Sequence, residues 1–119
     1  MLILIAGPYR SGTNDDPVLM QQNLSNLEAL ALPLFKKGHV PVIGEWLALP
    51  LIKLAGSAAT GDDIWNEIQY PCAHRLLEKC DAILRIEGAS QGADNDVKIG
   101  RERGLKIFFN IDEVPDAEE

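Results

Sequence analysis

Residues 2–6, Leu-Ile-Leu-Ile-Ala, form an unbroken apolar run that stops at Gly7-Pro8. A strand with no polar alternation must be covered on both faces, which is the situation of a strand inside a helix-flanked parallel sheet. Three more short apolar runs follow: residues 39–43 (His-Val-Pro-Val-Ile), 81–86 (Asp-Ala-Ile-Leu-Arg-Ile) and 105–109 (Leu-Lys-Ile-Phe-Phe). Helix-patterned sequence separates them. The order reads β-α-β-(α)-α-β-α-β, without hairpin turns or internal repeats. Such alternation predicts an α/β domain with an open parallel sheet of four to five strands and helices on both faces. The length, 119 residues, suits a single domain over 1–119.

The helical stretches carry their own punctuation. Asp16 before Pro17 is an N-cap followed by proline at the first helical position. Met20, Leu24, Leu27, Ala31 and Leu34 recur at helical spacing as far as Lys37-Gly38, with Pro33 expected to kink the last turns. Pro41 assigns the second strand to a sheet edge. Residues 44–61 combine a greasy segment, Trp46 to Leu54, broken by Pro50, with a small flexible run from Gly56 to Gly61, and read as an irregular loop suited to a lid or a subunit contact. Asp62-Asp63 starts a helix that Pro71 is expected to interrupt. Residues 88–104 (GASQGADNDVKIGRERG) read as a Gly-rich turn and a helix stopped by Gly104. In that helix Ala93, Val97, Gly100 and Gly104 form a small-residue face against the sheet. Residues 111–119 read as a solvated acidic tail.

Composition narrows the function classes. A net charge of −7 and a pI near 4.7 argue against a broad phosphate-tracking surface, so no nucleic acid polymer is expected as partner. Cys72 and Cys80 have no CxxC or Cys/His spacing, and His39 and His74 are the only histidines. A reduced, cytoplasmic chain without metal or cofactor is the plain reading. No apolar stretch approaches the roughly 20 residues that span a bilayer, so no membrane association is expected.

In open parallel sheets ligands bind outside the carboxyl ends of the strands. Two loops belong at that edge, residues 7–14 and 87–95. The first offers Gly7, Tyr9, Arg10, Ser11 and Gly12. The second offers Ser90 and the N–H groups of Gly92 and Ala93, a set able to hold a phosphate or a sugar hydroxyl. Asp96 follows, read as lying in the first helical turn, where its carboxylate either points into the cleft or only complements the helix dipole. Trp46 and Trp65 belong to the core or an interface, or stack on a flat ring. There is no Walker motif and no GxGxxG, which removes the usual signs of ATP hydrolysis and dinucleotide binding.

Four segments in order resemble the nucleoside 2-deoxyribosyltransferase superfamily: Leu4-Ile5-Ala6-Gly7-Pro8-Tyr9, Lys37-Gly38-His39-Val40-Pro41, Cys80-Asp81-Ala82-Ile83-Leu84, and Ser90-x-Gly92-Ala93-x-x-Asp96. The likeness spans nearly the whole chain and is greatest to the small, mostly uncharacterised members. It implies a flavodoxin-like fold, a homo-oligomer (dimer or tetramer), and a small-molecule nucleoside or nucleotide as substrate. It also implies cleavage or exchange of the N-glycosidic bond of a (deoxy)nucleoside or its 5′-monophosphate. Asp96 is then the carboxylate nucleophile and Tyr9 orients Asp96 or the sugar. Ser90 resembles the branch that hydrolyses deoxynucleoside 5′-monophosphates, where a serine helps hold phosphate, and Arg10-Ser11-Gly12 fits the same role. The chain departs from the family pattern in having Asp96 where the family has Glu, a carboxylate retracted by about 1 Å. It also has Cys72, Ala73 and His74 where the family carries an aspartate. The acid that protonates the leaving base is left among Asp63, Glu87 and Asp94. The alternative reading is a nucleotide- or sugar-phosphate-binding module that has lost catalysis. A receiver-like signalling domain is disfavoured, because the third strand ends in Arg85-Ile86-Glu87, without the acceptor aspartate.

Overall fold

The computed structural model describes residues 1–117. Four parallel strands, β1 (Leu2–Ala6), β2 (Val40–Val42), β3 (Ala82–Arg85) and β4 (Lys106–Phe108), lie in the order β2-β1-β3-β4. This is an α/β open sheet compatible with the flavodoxin-like type. β1 is central, with Leu4 level with Val42 on one side and with Ile83 on the other. β2 is an edge strand, as Pro41 requires.

Alternation along the strands divides the core between the two faces. Ile3, Ile5, Ala82 and Leu84 point to one face and pack with Leu27 of α1 (Pro17–Glu28) and Leu34 of α2 (Ala31–Lys36). Leu4, Ala6 and Ile83 point to the other and pack with Leu77 of α4 (Asp63–Leu77) and with Ala93 and Val97 of α5 (Gln91–Glu102). Each of the buried Leu, Ile and Val side chains contributes about 1.5–3 kcal/mol. A third, smaller cluster, Ala48, Ile52 and Trp65, joins α3 (Gly44–Leu54) to α4.

Several expectations need correction. The stretch after Asp16 is two helices, broken at Ala29-Leu30 rather than kinked at Pro33. Pro33 is the third residue of α2, where its missing N–H has no intrahelical partner to lose. Residues 44–54 form a helix rather than an irregular segment: burial of Ala48 and Ile52 against α4 outweighs the internal Pro50. Its outer side leaves Leu47, Leu51 and Leu54 exposed. Pro71 does not interrupt α4; the carbonyl it deprives is that of Glu67, an exposed residue, so solvent can satisfy it.

The tail is also more ordered than expected. Residues Ile111–Glu113 form a 3-10 turn, Val114 is fully buried against the first core cluster, and the Ala117 N–H donates to the Lys37 carbonyl at 2.7 Å. Buried His39 holds this segment, with Nε2 2.7 Å from the Pro115 carbonyl and Nδ1 3.0 Å from the Met1 amino group. The tail reading therefore fails for 111–117, and residues 118–119 lie outside the described residues.

The small-residue face of α5 is present at Ala93, Val97 and Gly100. Gly104 belongs elsewhere: it is exposed, at φ +77, and terminates the helix. At Gly100 the reason for glycine is contact. A Cβ there would come within 2.5 Å of Ile83 Cδ1 and 3.2 Å of Ile107 Cδ1. Gly92, the second residue of the same helix, faces open space. Gly100→Ala should therefore lower stability by about 1–3 kcal/mol, although alanine is the better helix former. Gly92→Ala should be neutral or stabilising by up to about 1 kcal/mol. Urea denaturation of the two variants checks the contrast.

Candidate active site

β1 lies between the strand that follows it and the strand that comes third, so the chain leaves its carboxyl end at a switch point. A cleft of about 290 Å³ opens there. That is the low end of small-molecule sites, which run about 300–1,000 Å³. Four chain segments build it: one from the end of each of β1, β2 and β3, and α4.

The segment after β1 brings Gly7, Tyr9, Arg10 and Ser11 to the cleft. Its shape is set by buried Thr13, whose hydroxyl donates to the Arg10 carbonyl (2.6 Å) and accepts from the Asp15 N–H (3.2 Å). Asn23 of α1 holds the Tyr9 carbonyl at 2.8 Å. Gly12 does not line the cleft. Arg10 lines the cleft but is already engaged by Asp15 through Nε (2.6 Å) and Nη2 (3.1 Å). Its guanidinium also lies over Gly61, so it ties the first loop to the α3–α4 connection.

The segment after β3 brings Ser90, Gly92, Ala93 and Asp96. Buried Ser90 is the N-cap of α5, its Oγ accepting the Ala93 N–H at 3.1 Å. The Ala93 N–H is thereby used, which leaves the Gly92 N–H and the Ser90 hydroxyl proton for a ligand. Because the helix starts at Gln91, Asp96 is its sixth residue and lies in the second turn, not the first. One residue before buried Val97, it is half-buried at the edge of the sheet-facing side. Asp94 points elsewhere, to Arg85 Nη2 at 3.0 Å. The two aspartates therefore have different surroundings.

The segment after β2 supplies what sequence reading missed. Glu45, in the first turn of α3, lines the cleft across the β1 end from Asp96. The three residues expected to include a proton donor do not reach the cleft: Asp63 and Glu87 are exposed, and Asp94 is paired. A signal was available at Ile43-Gly44-Glu45, where a strand ends at the carboxyl edge and a lone acid opens an apolar segment.

The remaining lining comes from α3 and α4 and is largely apolar: Ala48, Leu49, Ile52, Trp65 and Ala73, with Gln69 and Tyr70 as its polar members. Trp65 is buried and its Nε1 donates to Gln69 Oε1 at 2.5 Å. Indole N–H can only donate, so Gln69 must give it the amide oxygen and keeps its NH₂ for another acceptor. Asp62 caps α4 through the Trp65 N–H and also accepts from Ser57, Ala58 and Ala59, which holds its carboxyl down at about 2. Trp46 lies outside, half-exposed, with Nε1 on Glu28 at 2.9 Å. His74 is exposed and does not line the cleft.

Burial dominates the titration of this site. It pushes the Asp96 carboxyl up to about 7, assisted by the Glu45 charge and opposed by Arg85. It also raises Glu45. The Tyr9 phenol is raised by burial and then by Glu45. Burial keeps Cys72 raised and Cys80 up at about 11, so neither offers a thiolate near neutrality. Among the described residues no cluster of His, Cys, Asp and Glu could hold a metal ion. No helix there is long and apolar enough to cross a membrane.

Asp96 binds its proton more tightly in the folded chain than in the unfolded one. Stability should therefore fall as pH rises from about 4 to about 7, and the penalty is complete above that window. Asp96→Asn removes it. The variant should be more stable than the parent by roughly 2–4 kcal/mol at pH 8 and no more stable below pH 4. Denaturation midpoints across pH 3.5–8 measure this difference. Comparison of the chain with protein-family models, with curated proteins and with solved structures gives no match.

Proposed function

We propose that the protein cleaves or exchanges the N-glycosidic bond of a (deoxy)nucleoside or its 5′-monophosphate, with Asp96 as the attacking carboxylate. One observation carries this reading: Asp96 stands half-desolvated in a small cleft that Tyr9 and a largely apolar wall also line. The resemblance of the Ser90 to Asp96 segment to the nucleoside 2-deoxyribosyltransferase superfamily supports the same role. The wall of Ala48, Leu49, Ile52 and Trp65 suits a planar base, and Gln69 offers its edge an amide N–H.

The chemistry follows from position. Asp96 Oδ bonds to C1′ of the sugar as the C1′–N bond breaks and the base leaves with the bonding pair. A second base, or water, then attacks C1′ and returns Asp96 as a carboxylate, the logic of a retaining glycosidase. Tyr9 orients the sugar or Asp96. A 5′-phosphate is met by the Ser90 hydroxyl and the Gly92 N–H at the start of α5. The shorter reach of aspartate matters less when the helix itself sets the distance: Asp96 is on a regular helix fixed by Gly100 against Ile83.

Purified protein incubated with each deoxynucleoside and its 5′-monophosphate should release free base, followed by chromatography. Asp96→Ala should reduce release by more than about 100-fold. No base from any substrate, or undiminished release by the variant, contradicts the proposal. Ligand-induced thermal stabilisation without turnover favours a binding module instead.

A further inference from the structure

The cleft holds two carboxyl groups, and the reading above uses one. Asp96 comes from α5 and Glu45 from α3, on either side of the end of β1, and both line the same 290 Å³ space. The remaining chargeable groups around them are few. From the first loop come Tyr9 and Arg10, the latter engaged by Asp15. From α4 come Tyr70, which lines the cleft, and Cys72, whose thiol feels the Glu45 charge and that of Arg75. From β3 comes Arg85, held by two backbone carbonyls and Asp94. Cys80 lies behind Asp96. No free cation enters between the two acids among the described residues. Like charges in a desolvated space do not both ionise near neutrality.

We propose that Glu45 and Asp96 form one proton-sharing carboxyl pair, in which Glu45 delivers the shared proton to the departing base while Asp96 attacks the sugar. The delivery step rests on the N-glycosidic reading; the pair itself does not. In the free protein the two carboxyls hold one proton between them, since burial raises both and the Glu45 charge raises Asp96 further. A bound base presenting a ring nitrogen to Glu45, with electrophilic C1′ at Asp96, draws the proton across to Glu45. The Asp96 Oδ–C1′ bond then forms and the C1′–N bond breaks, and the Glu45 proton goes to the base nitrogen. In the second half Glu45, now a carboxylate, takes a proton from the incoming water. The water oxygen bonds to C1′, the ester C1′–O bond breaks, and the pair is restored with one proton. The active form is singly protonated, so the rate falls on both sides of a pH optimum.

The pair is tested without activity by carbon-13 carboxyl NMR titration of the full chain and of Glu45→Gln, which keeps the shape of the side chain. Asp96 should titrate near 7 in the parent and lower by about one unit or more in the variant, with one acidic neighbour gone. Glu45→Ala should lower Asp96 likewise, which keeps the test valid if Glu45→Gln fails to fold. Unchanged titration of the surviving acid overturns the pair. The delivery step is tested with two leaving groups. Glu45→Gln should slow release of an ordinary base by about 10²–10⁴-fold and spare 4-nitrophenyl 2-deoxyriboside, whose leaving group needs no proton. Asp96→Asn should abolish both. Equal losses on the two substrates in Glu45→Gln overturn the donor role. A parent protein that releases neither leaving group overturns the N-glycosidic reading and the delivery step with it, while the titration still decides the pair.

Discussion

The cleft depends on how Arg85 ends β3. Its side chain is nearly buried, and it donates to the carbonyls of Ile86 and Gly88 and to the Asp94 carboxylate. Those bonds fix the turn between strand and helix, and so fix where α5 begins and which way Asp96 faces. A cation this deep is tolerable only because its N–H groups have partners. Ser90 then caps the helix so placed, and Gly100 lets it lie against Ile83. The position of Asp96 is thus set by three contacts, none of which involves Asp96.

The same edge of the sheet receives one residue from each neighbouring strand end: Tyr9 after β1, Glu45 after β2, Asp96 after β3. Burial gives these groups their chemistry. Asp94 and Asp96 are two residues apart on one helix, yet Asp94 is solvated and paired while Asp96 is pushed up to about 7. The environment separates the two roles more than residue type does. The net negative charge of the chain does not oppose a neutral nucleoside. A phosphate must be met by hydrogen-bond donors, since Arg10 is largely neutralised by Asp15.

Much of this was legible in the sequence. The apolar run at Leu2–Ala6 and the alternation after it fixed a parallel sheet. Pro41 marked the edge strand, and the loops after β1 and β3 were placed correctly at the carboxyl edge. What escaped was tertiary. The 44–54 segment is read as irregular because Pro50 outweighs the pattern locally, and only packing on α4 reveals the helix that aims Glu45. The tail is acidic enough to read as solvated, but Val114 and Ile111 anchor it in the core and His39 clasps it. Arg85 reads as one charge in an apolar run; its partners are carbonyls of a turn, which leave no mark in side-chain pattern. Gly12, grouped with its loop neighbours, does not line the cleft.

The central claim is covalent attack by Asp96, and mass spectrometry of trapped protein tests it most directly. A deoxynucleoside carrying fluorine at C2′ slows resolution of a glycosyl ester more than its formation, so the intermediate should accumulate. The account predicts a mass increase of one fluorinated sugar on the peptide containing Asp96, with equimolar release of base. Base release with no adduct, or an adduct on Glu45 or any other residue, would contradict it.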